Sequence, residues 1–333
     1  MMAKLTRHPL LWGETPLMPL PRLAKKLGVA SVWMKRDDLT GIAFGGNKVR
    51  KLEYLLGHAL QEDCDLIITG GSPGSNHCRL TVAVANHIGL DTWLCFSGNK
   101  LGEVQGNLFL DQLLGAKVFL TGCYGSEALL TVMEEKAEEA RKLGRKPYVI
   151  PVGGSTNVGD YGYFHAWHEY IAQLDQLETV PNFDEIYVTV GTGGTMAGLL
   201  AGQASTPNSS RIVGVSVWQD QKQATQDILH LTNDLLREID KPISVTIEDI
   251  HVFDQYIGQK YGVPSAEGNR AIRMLAELEG LFVDPIYTGK ALAGMIDQLS
   301  QTNSAHKHVL FWHTGGTPAL FTHVSSLLEK GER

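Results

Sequence analysis

Short runs of apolar residues alternate with longer amphipathic segments along most of this chain. Residues 31–37 (SVWMKRD) and 65–71 (DLIITGG) have the length and composition of β-strands. Residues 47–62 carry apolar side chains every three or four positions, which predicts an amphipathic helix, and 76–90 and 127–144 also favour helices. Further strands are predicted over 91–98, 116–122 and 147–154.

The second half of the chain repeats the order strand, glycine-rich turn, helix. DEIYVTVGTGGTMAGLLAG begins at residue 184 and HVLFWHTGGTPALF at residue 308, with the strand-like RIVGVSVW between them. This alternation predicts an α/β fold of mostly parallel sheets flanked by helices, in which ligands bind at the carboxyl ends of the strands. Five glycine-rich turns follow predicted strands, so we expect them to face one cleft. They lie at 45–46, 70–74, 153–154, 191–194 and 315–316.

Composition and charge narrow the classes of function. The 333 residues are 43% hydrophobic and 20% charged, with a net charge of −7, as in a globular protein of one large or two modest domains. No basic block favours nucleic acid, and no run approaches the roughly 18 apolar residues of a membrane span. The N-terminus lacks a signal-peptide pattern, so we expect a cytoplasmic protein. The cysteines match no metal or redox spacing and are expected to be free thiols: Cys64, Cys78, Cys95 and Cys123.

The segment VTVGTGGTMAGLL (188–200) combines a strand, a glycine-rich turn and the start of a helix. Glycine N–H groups and the positive end of a helix suit a phosphate, and Thr192 and Thr195 add hydroxyl donors. No Gly-Lys-Ser/Thr follows, so the turn is not a P-loop. From the local pattern alone, a phosphate site and a tight packing turn are equally good interpretations.

Two other segments carry candidate chemistry. In TGGSPGSNHCRLT (69–81), hydroxyl and amide groups at a helix start would suit a carboxylate, although Ser75 or Asn76 would also serve simply as a helix cap. Lys48 lies in the first turn of a predicted helix, where a cation opposes the helix dipole. Such a lysine is either a solvated surface charge or a functional group. Four further residues, taken singly, are more often structural than catalytic: His77, Tyr261, Tyr287 and His313.

Eight motifs together resemble the pyridoxal 5′-phosphate (PLP) enzymes of the tryptophan synthase β type. More narrowly, they are similar to the family of 1-aminocyclopropane-1-carboxylate (ACC) deaminases and D-cysteine desulfhydrases. The resemblance covers nearly the whole chain, and the motifs occur in the family's order. They are ETPLMPLPRLAKKLG, KRDDLTGIAFGGNKVRKLE, GSNH, PYVIPVGGSTNVGDYGY, GTGGTMAGL, YGVP, DPIYTGKALAG and HTGGTPALF.

The resemblance implies an architecture of two open, twisted, mostly parallel sheets. A large PLP-binding domain would take residues 1–50 and 164–333, and a small domain residues 51–163. The cofactor would lie between them. Relatives are usually homodimers that act on a small amino acid, so we expect those partners and neither a membrane nor a nucleic acid.

The resemblance also assigns the cofactor-binding residues. Lys48 resembles the lysine that forms the Schiff base with PLP and then moves the α-proton of the substrate. Asn47 would bond the phenolic oxygen, and Lys51 matches a lysine near the phosphate. The phosphate cup would consist of Gly191, Thr192, Gly193, Gly194 and Thr195.

The substrate side is implied in the same way. Ser75, Asn76 and His77 resemble the loop that holds the substrate carboxylate. Tyr261 of YGVP and Tyr287 of DPIYTGK resemble two active-site tyrosines, one of them an acid or base. These tyrosines, Ser75 and Lys48 form the implied catalytic set.

Two threonines separate the branches of the family. ACC deaminases typically carry Glu after the tyrosine of DPxY and Leu after the histidine of HxGG, where this chain has Thr288 and Thr314. Both match the desulfhydrase branch. A hydroxyl near the pyridine nitrogen, from Thr288, Thr314 or Thr317, leaves a weaker electron sink than a carboxylate, which suits β-elimination better than ring opening. We therefore expect α,β-elimination, with D-cysteine giving pyruvate, ammonia and hydrogen sulfide.

Other features leave alternatives open. Many relatives have Gln at the positions of Gly74 and Leu80, in the implied carboxylate loop, so the substrate or its handedness could differ. SNHCRLT also resembles relatives that release sulfite from L-cysteate, and Arg79 is the nearest cation for a sulfonate. ACC deamination, a non-catalytic sensor that kept the PLP pocket, and a dinucleotide-binding oxidoreductase are the remaining alternatives.

Overall fold

The structure is a computed structural model that describes residues 5–177 and 182–328. Every strand and helix predicted between residues 31 and 154 is found, with its ends shifted by a few residues. The strands are β1 (Leu17–Pro19), β2 (Ser31–Arg36), β3 (Leu66–Gly71), β4 (Asp91–Phe96), β5 (Lys117–Leu120), β6 (Pro147–Ile150), β7 (Glu185–Val190), β8 (Arg211–Ser216), β9 (His251–Phe253) and β10 (His308–His313). The α-helices are α1 (Pro21–Leu27), α2 (Lys48–Gln61), α3 (Asn76–His87), α4 (Gly106–Leu113), α5 (Ser126–Lys142), α6 (Asn157–Gln176), α7 (Gly194–Ala204), α8 (Gln221–Glu238), α9 (Ala266–Glu279), α10 (Thr288–Ser300) and α11 (Val324–Leu328).

The strands form two separate sheets. A six-stranded sheet has the order β1-β2-β10-β7-β8-β9, and a four-stranded sheet has the order β5-β4-β3-β6. Only β1 runs antiparallel to its neighbour; the other pairings are parallel. The predicted α/β fold with two mostly parallel sheets is confirmed.

Burial on both faces explains why the central strands are apolar runs. All six residues of β3 and all six of β7 are buried, because helices cover both faces of each sheet. Ile67 packs against α2 and α3, whereas Leu66 and Ile68 pack against α5. Likewise, Ile186 faces the core formed with α6, α7 and α8, and Tyr187 faces the core formed with α9 and α10. The alternation of side chains along each strand thus builds two cores from one sheet.

Close helix contacts bring the start of α2 beside the start of α7. A Cβ atom on Gly162 in α6 would lie 2.2 Å from the Arg50 carbonyl oxygen of α2. A Cβ atom on Gly198 in α7 would lie 2.3 Å from the Asp160 carbonyl oxygen of α6. Because both neighbours are backbone atoms, glycine is required at each crossing. Helix α6 therefore holds α2, which carries Lys48, against α7, which begins in the glycine-rich turn at 191–194.

The division into domains stays a proposal. The four-stranded sheet uses only strands between residues 66 and 150, and the six-stranded sheet uses strands before and after them. The predicted boundaries at 50/51 and 163/164 fall inside α2 and α6. Residues 1–4, 178–181 and 329–333 of the predicted large domain lie outside the described residues.

Two details differ from the predicted order of elements. The glycine pair 45–46 does not directly follow strand β2 as predicted, because short 3₁₀ turns at 37–39 and 42–44 lie between them. In the second of these turns, Ala43 and Phe44 have positive φ angles. The turn at 315–316 leads into a 3₁₀ helix, Thr317–Thr322, before α11 begins. Across residues 5–177 and 182–328, no helix has both the length and the apolar character needed to cross a bilayer.

Candidate active site

A cavity of about 480 Å³ lies where the carboxyl ends of strands from both sheets meet. Gly71 ends β3, Gly191 follows β7, and Thr314 follows β10; all three line the cavity. Four of the five glycine-rich turns contribute a residue to the cavity lining, and the fifth, at 45–46, is followed directly by Asn47, which lines the cavity. The residues with predicted roles that line it are Asn47, Lys48, Ser75, Asn76, His77, Gly191, Thr192, Gly193, Thr195, Tyr261, Tyr287 and Thr314.

Lys48 is the first residue of α2, and its Nζ donates to the Gly153 carbonyl oxygen at 3.2 Å. Burial lowers the pKa of this amine well below its usual value, and the nearby charge of Lys51 lowers it further. Asp160 acts in the opposite direction but does not cancel the other two effects. Lys48 is therefore a half-buried amine at the cavity wall, and its lowered pKa favours the neutral, nucleophilic form over a solvated surface charge.

Lys51 lies one turn further along α2 and does not line the cavity. Its Nζ is 2.8 Å from Asp160 Oδ1, and it donates to Ser155 Oγ at 3.0 Å. The Lys51 Nζ lies directly behind the turn at 191–194, the candidate phosphate site: a Cβ built on Gly194 would be 2.4 Å from it. Gly194 likewise does not line the cavity; it is buried against this lysine.

The turn at 191–195 fits a phosphate group. Helix α7 begins buried at Gly194, and its N-cap, Gly193 (φ +86°), provides no capping side chain for the first N–H groups. A helix start buried in this way needs an acceptor from elsewhere, which an anion supplies. Thr192 and Thr195 also line the cavity, and their hydroxyl groups are held by neighbouring side chains. Thr192 Oγ1 is 2.6 Å from Ser155 Oγ, and Thr195 Oγ1 accepts from Asn47 Nδ2 at 2.9 Å.

Ser75 and Asn76 stand at the start of α3. Ser75 is the N-cap residue, and its Oγ accepts from the Cys78 N–H at 3.3 Å, so the capping interpretation is correct. Asn76 Oδ1 accepts from Asn107 Nδ2 at 2.9 Å, which leaves the Asn76 amide nitrogen as a donor. Both residues also line the cavity, so the helix cap and an anion-binding position coincide.

His77 has a defined tautomer. Thr69 Oγ1 donates its one proton to the Ile150 carbonyl oxygen at 2.7 Å, so His77 Nε2, 2.8 Å from the same hydroxyl, must be the donor. Nδ1 is then a lone-pair acceptor, buried and without a partner among the described residues. Burial, and then the charges of Lys48 and Lys51, hold the pKa of the imidazole well below its usual value. The imidazole of His77 is therefore neutral, and its other nitrogen, Nδ1, can accept a hydrogen bond but offers no proton to a carboxylate.

Tyr261 and Tyr287 form a pair, with their hydroxyl oxygens 2.6 Å apart. Burial raises the pKa of both phenols, and for Tyr287 the neighbouring Tyr261 raises it further. Both hydroxyls therefore stay protonated near neutral pH. A linked pair of this kind supplies a proton donor to the cavity, not a phenolate base.

Two polar residues singled out from the sequence, Thr288 and Arg79, lie away from the cavity. Thr288 Oγ1 donates to Asp284 Oδ1 at 2.7 Å, is fully buried and does not line the cavity, whereas Thr314 does. Arg79 is also fully buried and absent from the cavity lining. Its guanidinium donates to Asn107 Oδ1 at 2.7 Å and to the Ala43 carbonyl oxygen. The structure thus contradicts the idea that Arg79 clamps a substrate sulfonate.

Several site residues were missed by the sequence reasoning. Ser155 and Asp160 contact Lys51, and Trp218 and Tyr124 line the cavity. Ser155 follows the turn at 153–154 directly, so that turn held a usable signal. Asp160 lies inside α6 and Trp218 follows β8 without any local pattern, and only the packing of the elements identifies them.

Comparisons with known proteins show the family to which the chain belongs. Residues 9–315 match the family described as pyridoxal-phosphate dependent enzymes. A protein of Pyrococcus abyssi is 38% identical over 332 residues, with 99% of this chain and 97% of the relative covered, and one of Pyrococcus horikoshii is 38% identical over 328 residues, with 98% and 97% covered. Both are named "Putative 1-aminocyclopropane-1-carboxylate deaminase".

Solved structures share the fold. A crystal structure described as an ACC deaminase homologue is 37% identical and has a TM-score of 0.90, covering 98% of this chain and 96% of that one. A hydrogen sulfide-producing enzyme from Fusobacterium nucleatum has a TM-score of 0.65 at 16% identity, covering 92% of this chain and 96% of that one. The latter likeness concerns the fold alone.

Proposed function

The chain belongs to the family of pyridoxal-phosphate dependent enzymes, and on that premise we propose that it is a lyase that removes the β-substituent of a small amino acid. D-Cysteine is the leading substrate, with pyruvate, ammonia and hydrogen sulfide as products. One observation carries the proposal: the cavity joins a neutral amine, a protonated tyrosine pair and an anion-binding helix start. None of its lining residues in the described part of the chain is Asp, Glu or Arg.

Residues around the cavity account for how the cofactor would be held. Lys48 would bind it covalently, the turn at 191–195 would take its phosphate, and Asn47 would bond its phenolic oxygen. Pyridoxal phosphate supplies an electron sink for the bond broken at the α-carbon. Lys51 would balance the phosphate charge from behind Gly194, and its ion pair with Asp160 limits the excess positive charge near Lys48.

Lys48 is the proposed base. A neutral Nζ is needed to accept a proton from the α-carbon, and burial together with the Lys51 charge favours that form near neutral pH. The contact between Nζ and the Gly153 carbonyl oxygen holds the amine at the cavity wall. Substrate orientation would come from the start of α3, where Ser75, Asn76 and the helix N–H groups suit a carboxylate.

The tyrosine pair is the proposed acid. Because both phenols have raised pKa values, they are protonated at neutral pH, and one of them donates toward the departing sulfur. The short contact between Tyr261 and Tyr287 keeps the two hydroxyls in one place. With Thr288 committed to Asp284, Thr314 is the proposed hydroxyl near the pyridine nitrogen, and a hydroxyl there suits elimination.

ACC deamination is the second candidate, favoured by the names that the relatives carry. It needs the cyclopropane ring to open, for which a carboxylate beside the pyridine nitrogen would provide a stronger electron sink than Thr314. Sulfite release from L-cysteate is a weaker alternative, because Arg79 is buried in contacts with the chain itself. Neither alternative changes the proposed cofactor-binding residues.

A panel of substrates tests the proposal. The purified holoenzyme is given D- and L-cysteine, D- and L-serine, L-cysteate, chloroalanine and ACC, and keto acid, sulfide and sulfite are measured. We expect pyruvate and sulfide in equal amounts from D-cysteine, with the highest kcat/KM in the panel. Release of 2-oxobutanoate from ACC alone would assign the second candidate, and a spectral change without any turnover would indicate a sensor. Lys48→Ala is the matched inactive control.

The assembly is proposed on the same family premise. We propose a homodimer whose subunits each have the two domains predicted above, with the cavity between the two sheets. Sedimentation velocity of the holoenzyme tests the dimer: one species of twice the chain mass is expected, and a concentration-independent monomer would exclude it.

A further inference from the structure

A second cavity, of about 360 Å³, lies beside the first. Ser72, Tyr261 and Tyr287 line both cavities, so one layer of side chains separates them. The second cavity extends from this layer to the loop before α4 and to the 3₁₀ helix Thr317–Thr322. It therefore continues the first cavity on the side of the tyrosine pair.

Gly74 keeps this second cavity open. It lines the cavity, and a Cβ built on it would meet nothing within 4 Å. Its φ angle lies outside the positive range that L side chains rarely adopt, so the backbone would accept another residue without strain. A larger side chain at this position would project into the free space. A side chain at residue 74 could therefore occupy free volume next to the start of α3.

The lining defines what the second cavity would accept. Leu101, Leu108 and Ile286 provide apolar surface, and Ser72 and Thr322 provide hydroxyl groups. The other polar side chains of the lining are Glu103, Gln105, Asn107 and His323. Within the described ranges no lysine or arginine lines it, so an anionic group such as a sulfonate or phosphate would lack a permanent cationic partner. Glu103 is exposed, and its carboxylate accepts from Gln105 Nε2 at 3.2 Å. The lining therefore fits an extended, uncharged group that has both apolar and hydrogen-bonding parts.

We propose that the second cavity is a subsite for an extended, uncharged substituent on the β-carbon of the amino-acid substrate. The group would pass the layer of Ser72, Tyr261 and Tyr287 while the α-carboxylate stays at the start of α3. The proposal rests on the proposed function only in taking the first cavity as the amino-acid site. It extends the substrate class from cysteine to S-substituted cysteines and similar amino acids with unbranched side chains.

Binding of amino acids that have no leaving group tests this subsite without relying on elimination. The dissociation constants of alanine and norleucine, each as both enantiomers, are measured from the absorbance change of the cofactor in the holoenzyme. The wild type is expected to favour norleucine. In Gly74→Gln, which fills the second cavity, that preference should fall about tenfold or more, because each methylene group accommodated in a pocket changes selectivity by about that factor.

Matched variants separate the subsite from other effects. Leu143→Gln introduces glutamine at an exposed position outside both cavities and should leave both constants unchanged. Ala319→Met fills the same cavity from the 3₁₀ helix Thr317–Thr322 and should lower the preference as Gly74→Gln does. An equal loss of both ligands in Gly74→Gln would place the effect at the carboxylate loop and overturn the proposal. An unchanged preference in both filled variants would overturn it as well. Failure of D-cysteine elimination with the binding pattern intact would refute the proposed reaction and leave the subsite standing.

Discussion

Replacing Arg79 by Ala distinguishes a structural role for this arginine from a role in substrate recognition. The guanidinium is fully buried and makes two short hydrogen bonds, to Asn107 Oδ1 at 2.7 Å and to the Ala43 carbonyl oxygen. Its contacts with the Gly45 carbonyl oxygen and Asn76 Oδ1, both 3.4 Å, contribute little. Since a hydrogen bond to a charged group contributes about 1.5–3 kcal/mol, the two short bonds predict a loss of about 3–6 kcal/mol in the free energy of unfolding.

The loss should also affect every substrate, because Arg79 joins two active-site segments. Through Asn107 it supports Asn76, and through Ala43 it supports the loop that leads into Asn47 and Lys48. A displacement of about 1 Å at reacting groups lowers turnover by on the order of a hundredfold. Sulfide release from D-cysteine and any sulfite release from L-cysteate should therefore fall together.

Urea unfolding and parallel turnover assays measure the two effects. Arg79→Lys is the matched control: it keeps the charge but lacks the planar fork, so its unfolding free energy should lie between those of the wild type and Arg79→Ala. A loss below about 1 kcal/mol in Arg79→Ala would refute the structural reasoning, since even one such bond contributes more. Loss of sulfite release with unchanged sulfide release would restore Arg79 as a sulfonate clamp.

Three further outcomes follow from buried groups. Burial raises the pKa of Asp111 to about 8, so between pH 5 and 7 this carboxyl is ionised in the unfolded chain but protonated in the folded chain, and the free energy of unfolding falls by about 3 kcal/mol over that range. Urea unfolding of Asp111→Asn at pH 5 and pH 7 should lack that fall. An equal change of unfolding free energy with pH in both proteins would contradict the assignment. Lys51→Met removes a charge that lowers the pKa of Lys48, so less of the Lys48 amine should be neutral at a fixed pH. In the cofactor-free protein, the acylation of Lys48, followed by mass spectrometry, should therefore slow. An unchanged rate would exclude this coupling. Gly198→Ala places a Cβ against the Asp160 carbonyl oxygen and should lower the free energy of unfolding, measured in urea, by about 1–3 kcal/mol or more. Gly74→Ala, whose Cβ meets nothing, should lower it little. Similar losses in the two variants would show that α6 and α7 move apart easily.

Much of the fold followed from local pattern. The apolar runs of β3 and β7 and the periodic spacing of α2 predicted those elements close to their observed ends, because burial on both faces or on one face leaves a direct mark on residue order. The glycine-rich turns were also predictable, since backbone at a cavity and at tight turns excludes side chains. The cleft formed by the five turns was therefore predictable from the glycine pattern, although the turn at 45–46 does not directly follow a strand.

The direction and partners of individual side chains did not follow. Thr288 and Thr314 occupy similar places in their motifs, yet Thr288 turns toward Asp284 and Thr314 toward the cavity. Arg79 lies four residues from Ser75, but it faces Ala43, far away in sequence. Such choices depend on which surface of a helix meets which loop, and that is decided by packing between distant segments.

The sequence by itself determined the α/β architecture, the identity of the cofactor through its motifs, and most of the polar residues that line the first cavity. Only the tertiary structure decided that Lys51 pairs with Asp160, that His77 is neutral with Nδ1 as its acceptor nitrogen, and that Gly74 lines a second cavity. The physical reason is that the pKa of a buried group and the shape of a cavity depend on atoms brought together from separate parts of the chain.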